Sequence, residues 1–375
     1  MSQYSPSIVC TADLHFGELP WKYRPTICGD AEHSFRQIVD FCCEQRASVL
    51  CIAGDIFDIP KPPPEPNVFL RDQFDRLQAA DIPVVYVLGQ HEKKQDWTRL
   101  HRWPVHLSGK AFDVDDFAVY GFDYMLPGDF IDAYVAQPRP EPNAYSLCHQ
   151  PIQELMGDKD PDVLSLAQLP FAMNHMIGDY HSQKILSYRA LDGSEGIILS
   201  PGSTHARDTS EDDPKGFLAI FRDADGAPRV CSIPLKTRTL KRYKIENADQ
   251  AEAFLAVVDK LPLDGEGLER AIIDVTYYTD IDGFGAKLVQ ALDKRCHLFT
   301  KPKDRRRETR APSAVARRAV LEQGWAGALA LITQPGPTRD ISQRLLDAPD
   351  PLVELDAMAA EYYESSKAEE PQEVA

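Results

Sequence analysis

The chain has 375 residues, 43% of them hydrophobic and 26% charged, a globular composition that excludes wholesale disorder. With 58 acidic against 41 basic residues the formal net charge is −17, so any contact with nucleic acid must be local or carried by metal ions. No apolar run approaches the roughly 20 residues needed to span a bilayer. The opening Met1-Ser2-Gln3-Tyr4 carries neither a basic stretch nor an apolar run. No export signal is expected, and the expected location is cytoplasmic. The length exceeds what one core usually spans, which predicts one large domain with smaller appendages.

In chain order, Ser7–Cys10 reads as a short buried strand, and residues 31–46 as a helix with Phe35, Ile38, Val39 and Cys42 on one face. Ser48–Ala53 reads as a strand running into Gly54, followed by a Pro-rich loop, a helix over 67–80 and a strand at Pro83–Leu88. This βαβαβ order predicts α/β layers. From about 105 to 235 strands dominate: Phe117–Gly121, Tyr145–Cys148, Met176–Gly178, Lys184–Arg189, Gly196–Leu199, Gly216–Phe221 and Arg229–Ile233. Such a run predicts two sheets rather than one doubly wound sheet.

Composition shifts after Pro234. Residues 236–244 carry Lys236, Arg238, Lys241, Arg242 and Lys244 with no acid, and read as a solvated face or linker, with contact to a nucleic-acid phosphate backbone as the alternative. A helix (248–260), a strand (Ala271–Tyr277), a helix (283–294) and a strand (296–300) then suggest a small α/β module. A second basic cluster, Lys301 to Arg310, leads to a C-terminal segment with a helical stripe of Leu352, Leu355, Met358, Ala359 and Tyr362, then an acidic tail. The expected division is 1–235, 236–303 and 304–375. The eight cysteines (Cys10, Cys28, Cys42, Cys43, Cys51, Cys148, Cys231, Cys296) form no CxxC pair, which argues for free thiols in a reducing compartment.

Five motifs stand at or just after strand ends, where open sheets place their sites. They are Asp13-Leu14-His15, Gly54-Asp55-Ile56-Phe57-Asp58, Gly89-Gln90-His91-Glu92, Cys148-His149-Gln150 and Gly178-Asp179-Tyr180-His181. In extended backbone, residues two apart share a side, so Asp13 and His15 are expected to converge on one ion. Oxygen donors mixed with imidazole suit Mn, Fe or Zn, and a bridging carboxylate such as Asp55 would hold two ions ~3.5–4 Å apart. Asp58 reads as a turn residue or one that orients a ligand. His175 reads as a satisfied structural histidine, and His33, His101, His106, His205 and His297 as structural or solvated.

Taken together and in this order, the motifs resemble the calcineurin-like metallophosphoesterases, and within them the SbcD-type nuclease subunit. Pro201-Gly202-Ser203 and Lys215-Gly216-Phe217 resemble further elements of that subgroup. The likeness, over about residues 6–235, implies a two-sheet β-sandwich flanked by helices, with a small α/β capping domain and C-terminal helices. It implies Asp13, His15 and His181 around a first ion, with Asp55 bridging. Asp55, Gln90, His149 and Asp179 would surround the second. His91 would protonate the leaving oxygen.

Gln90 stands where the family has asparagine, and Asp179 where its commonest motif has histidine. The longer amide puts its ligation in question. The added carboxylate should favour hard cations. The implied activity is manganese-dependent cleavage of DNA (Mg, Fe or Zn also fitting). The implied partners are DNA, an SbcC-type ABC ATPase docked on the C-terminal helices, and a second copy of the chain. No GxxxxGK[ST] loop occurs, so any ATP-driven step would come from another subunit. Two rivals stand beside this reading: a phosphodiesterase for small molecules or cyclic nucleotides, and a catalytically weak scaffold subunit.

Overall fold

The computed structural model describes residues 5–305, apart from 18–20, 22–23, 93–101, 116, 138–142, 157–162, 224–226, 259, 262 and 264. The C-terminal stripe from Leu352 to Tyr362, and His101, lie outside the described residues. The chain divides into two compact units, Met1–Thr276 with Gly283–Lys301, and Tyr277–Asp282 with Pro302–Ala375.

The first unit is built on two six-stranded sheets. The strands of the first are β1 (Ile8–Thr11), β2 (Val49–Ala53), β3 (Val84–Val87), β4 (Val105–His106), β11 (Gly216–Arg222) and β12 (Pro228–Pro234). Their order is β12-β11-β1-β2-β3-β4. Strands β1 to β4 run parallel, with β11 antiparallel to β1. The second sheet holds β5 (Ala111–Val114), β6 (Phe117–Phe122), β7 (Ala144–His149), β8 (Asn174–Gly178), β9 (Lys184–Arg189) and β10 (Glu195–Ser200). Its order is β5-β6-β7-β8-β10-β9, and β6, β7, β8 and β10 are parallel.

Period-two alternation explains the layers. In β1, Val9 faces one core while Ile8 and Cys10 face another; in β2, Leu50 and Ile52 part from Val49, Cys51 and Ala53 in the same way. The inner core, shared with Tyr145, Leu147 and Met176, lies between the sheets. The outer core of the first sheet is closed by α1 (Asp30–Gln45) and α2 (Pro64–Ala79) through Phe35, Ile38, Leu70 and Phe74. Strands buried on both faces read as unbroken apolar runs, which is why β1, β2 and β3 were visible in the sequence. On the far side of the second sheet, α3 (Pro127–Val135) places Phe130 and Tyr134 one turn apart against Phe122 and Cys148; α4 (Gln153–Met156) adds Leu155. This is the mixed α/β sandwich expected.

Several elements depart from the sequence reading. Helix α2 begins at Pro64 rather than 67, because proline is tolerated in a first turn, where its missing N–H has no helical partner. Helix α3 was not expected. Strand β13 (Leu240–Ile245) replaces part of the expected basic linker, and heads a three-stranded sheet β13-β14-β15 with β14 (Ile272–Tyr278) and β15 (His297–Lys303). Its exposed Lys241, Arg242 and Lys244 suit an edge strand, since charge discourages further pairing. Helices α5 (Ala248–Val258) and α6 (Phe284–Leu292) complete this module. Arg238 is not solvated. It is buried in an ion pair with Asp30, Nε to Oδ1 at 2.9 Å.

Candidate metal centre

Because β1, β2, β3, β7 and β8 run the same way within their sheets, all five motif loops emerge at one end of the sandwich. Strand β1 ends at Thr11, so Asp13 and His15 do not share a strand face as expected. Instead Asp13, His15, Asp55 and Asp179 all take positive φ (52°, 46°, 48° and 89°), a conformation costly for non-glycine residues and concentrated at functional sites. The loops brace one another: the Asp13 amide donates to Gly54 O, His15 N to Asp55 O, and Asp179 N to Asp13 Oδ1 at 3.1 Å.

Two glycines permit the close approach. At Gly54 (φ +81°) a Cβ would lie 2.5 Å from His149 Nδ1, and at Gly89 one would lie 1.9 Å from Asp55 Oδ1. Glu92, fully buried, stitches the loops by accepting from Ile56 N, from Phe57 N at 3.0 Å and from Gly89 N at 2.7 Å.

The structure brings all the expected site residues together. Asp13, His15 and His181 form one group able to hold an ion; Asp13, Asp55 and His149 form a second, and His15, Asp55 and His91 a third. His15 Nε2 and His181 Nε2 face each other at 3.4 Å, and His149 Nε2 lies 3.4 Å from Asp55 Oδ2 and 3.8 Å from Asp179 Oδ1. An outer contact turns each ring. His149 Nδ1 donates to Ala53 O (2.8 Å), His91 Nδ1 to Asp58 O (2.7 Å) and His181 Nδ1 to Glu211 Oε1 (2.8 Å). Asp58 Oδ1 lies 3.0 Å from His15 Nδ1, within ion-pair reach though not aligned as a hydrogen bond. Imidazoles that spend Nδ1 outward leave Nε2 for an ion, the usual arrangement behind histidine ligands.

The two departures from the family pattern touch each other. Gln90 Nε2 donates to Asp179 Oδ1 at 2.6 Å. A carboxylate only accepts, so the amide must present its nitrogen there. That leaves Gln90 Oε1 buried without a partner, as is His149 Nε2. Orphaned lone pairs among carboxylates are what a divalent cation satisfies, so the donor set fits two ions by its chemistry.

Burial pushes the Asp13 carboxyl up to about 6, and Glu92, buried beside Asp55, up to about 7. Burial also penalises the charged forms of Asp55 and His149, yet their mutual attraction prevails: Asp55 is held well below the carboxylate range and His149 raised to about 10. His15 is driven well below its ordinary value by burial and then by the Arg207 cation. Burial opposes charge on His181 too, but the Glu211 hydrogen bond raises it. Glu211 itself, resisted by burial, is brought down to about 2 by His181 and Lys215.

Sequence reasoning missed Arg207, Glu211 and Lys215 as site residues. Lys215 Nζ bonds Glu211 Oε2 (3.0 Å) and the His181 carbonyl (3.3 Å), and Ser203 N donates to the same carbonyl. The PGS and KGF elements therefore cradle His181. His175 is the satisfied core histidine expected, bonded to Ser146 Oγ (2.5 Å) and Tyr188 OH (2.7 Å).

A two-sheet sandwich with carboxylates and imidazoles gathered at the ends of its parallel strands defines a metallophosphoesterase. Residues 6–193 match the family model described as calcineurin-like phosphoesterase, and the chain belongs to that family. Family members use divalent metals.

The chain is similar to proteins named DNA double-strand break repair protein Mre11. The one from Methanosarcina mazei is 25% identical over 232 residues, 58% of this chain and 36% of the relative. The one from Methanosarcina acetivorans is 24% identical over 335 residues, 85% of this chain and 53% of the relative. The one from Halobacterium salinarum is 26% identical over 321 residues, 80% of this chain and 78% of the relative. Against either Methanosarcina protein, the chain spans less than two thirds of the relative's length.

Proposed function

We propose that the chain is a metal-dependent DNA phosphodiesterase of the SbcD and Mre11 type, acting on DNA ends and hairpins in repair or recombination. The observation that carries this reading is the ring of His15, His91, His149 and His181. His15, His91 and His149 present Nε2 toward Asp55, His181 Nε2 faces His15 Nε2, and the Nδ1 atoms contact Asp58, Ala53 or Glu211. Asp13, His15 and His181 would hold one ion and Asp55, Gln90, His149 and Asp179 the other, with Asp55 shared. When bound, two ions supply Lewis-acid polarisation of phosphate and an acidified water. His91 is the most accessible ring of the set at 34%, and its Nδ1 is tied to Asp58 O. With Nδ1–H donating there, the imidazolium form would carry its second proton on Nε2 and could give it to the leaving oxygen.

Three carboxylates, one amide oxygen and one imidazole fewer than usual make the donors harder, which supports manganese or magnesium over softer ions. The partners proposed are DNA, an SbcC-type ABC ATPase and a second copy of the chain. The domain roles proposed are a nuclease domain (1–235), a capping domain (236–303) and a C-terminal docking segment.

A second reading, a phosphodiesterase for small substrates, draws on the basic stretches. Arg238 is buried against Asp30, Lys301 pairs with Asp274, Arg242 with Asp212 and Arg305 with Asp280. Charges already paired contribute less to holding a DNA backbone. Cleavage of end-labelled linear and hairpin DNA with manganese, comparing the wild type with Asp55→Asn, separates the two. Degradation abolished by the substitution supports the nuclease. No degradation, with bis-p-nitrophenyl phosphate still hydrolysed, turns the reading to the small-substrate enzyme or to a nuclease gated by its ATPase partner.

A further inference from the structure

Arg207 belongs to none of the motifs, yet its guanidinium reaches into the cluster. Nη1 donates to His15 Nε2 across 3.2 Å, and Nη2 pairs with Asp58. Arginine has no acceptor and does not deprotonate, so this contact consumes the His15 lone pair. That is the lone pair His15 would offer to an ion. A guanidinium and a divalent cation cannot both take it, and their like charges repel.

The position of Arg207 is built from several sides. On the same loop, Glu211 holds His181, Thr209 Oγ1 accepts from Lys301 Nζ at 2.5 Å, and Ser210 O and Asp212 accept from Arg242. The Arg207 side chain is 18% exposed. Its partner Asp58 also takes the His91 ring, Oδ1 to Nδ1 at 3.6 Å, so Arg207 and His91 flank the same carboxylate beside the cluster. Pivoting about Asp58 would release Nη1 from His15 while Nη2 stays paired. The released Nη1 would then donate a charge-assisted hydrogen bond to a phosphate oxygen.

We propose that Arg207 is a phosphate-binding residue whose guanidinium is exchanged from His15 Nε2 to a non-bridging oxygen of the scissile phosphate when His15 takes an ion. Ion loading and substrate capture are then coupled through one side chain. The inference rests on the metal-centre reading above.

The test titrates manganese alone into the full chain by calorimetry, then measures hydrolysis of bis-p-nitrophenyl phosphate at saturating manganese, for wild type, Arg207→Ala and Arg207→Gln. Gln keeps a polar group within reach of Asp58, and it carries both readouts if the Ala variant is poorly folded. Removing the competing cation is expected to tighten manganese binding by about fivefold or more. Losing the phosphate contact is expected to raise KM about tenfold, with kcat changed less. Manganese affinity unchanged or weakened, or KM equal to wild type, overturns the proposal. A wild type that binds no manganese would instead sink the metal-centre reading itself, so the two failures are distinguishable.

Discussion

Arg238 and Asp55 are both buried charges, but their surroundings are built to opposite ends. Arg238 Nε and Nη2 take both oxygens of Asp30 (2.9 and 3.0 Å), Nη1 takes the carbonyls of Gly267 and Arg270, and Nη2 also reaches Cys28 O. Around Asp55, by contrast, His149 Nε2 and Gln90 Oε1 have no hydrogen-bond partner, and four non-glycine residues hold left-handed backbone. A saturated cluster has nothing to offer a ligand and serves the fold. An unsaturated one costs stability, and that cost is retained where the missing partner arrives from outside.

The sharpest break between the two clusters should come at Asp55. Asp55→Asn is expected to lower phosphodiester cleavage by about ten-thousandfold. The denaturation midpoint without added metal should fall only modestly: the loss of the Asp55–His149 attraction is partly offset by relief of repulsion from Asp13 and Glu92. Retained cleavage, or a collapse of stability, would place Asp55 with the structural charges.

Arg238→Ala is the converse. It strands Asp30 and should cost about 3–5 kcal/mol in urea unfolding. The double change Asp30→Asn with Arg238→Met should recover much of that loss. A single variant as stable as wild type would refute the saturated-cluster argument.

A third test concerns buried histidines outside the ion groups. Burial drives His175 down to about 3 and His205 down to about 4. Below the ordinary value near 6.5 the unfolded chain binds a proton that the folded chain refuses. Their contribution is therefore fully present above pH 6.5 and is lost as pH falls toward those folded values. The loss should reach about 2 kcal/mol per histidine by pH 5. Urea midpoints at pH 7 and pH 5 check this, and His175→Asn should flatten the slope. Because Asp13 and Glu92, raised to about 6 and 7, shift the wild-type midpoint in the opposite direction over this window, a His175→Asn slope equal to that of the wild type is the result that would count against it.

The smallest effect is expected for the Gln90–Asp179 pair. Gln90→Asn and Asp179→His should each weaken the second ion by about tenfold without abolishing it, while the double change restores most of the affinity, a coupling of about 2 kcal/mol or more. Additive losses in a manganese titration would show the two departures to be independent.

Much of this was legible before the structure. Strands buried on both faces announce themselves as apolar runs, and helix α1 by the spacing of Phe35, Ile38, Val39 and Cys42. The motif residues stood out because glycine, aspartate and histidine at strand ends are a rare company. Less legible was anything whose signal depends on a distant partner. Glu211 and Arg207 sit on an irregular loop with no periodicity to mark them. The run 236–244 looked like a linker because charge was its loudest feature, and β13 needed β14 to become a strand.

The sequence by itself determined the layer architecture, the five motifs and their chemistry, because hydrophobic periodicity and ligand type are local properties of the chain. The tertiary structure decided which nitrogen of each histidine faces inward, that Gln90 and Asp179 meet, and that Arg207 claims the lone pair of His15. Those are contacts between residues 30 to 192 positions apart, fixed by how parallel strands bring their ends together.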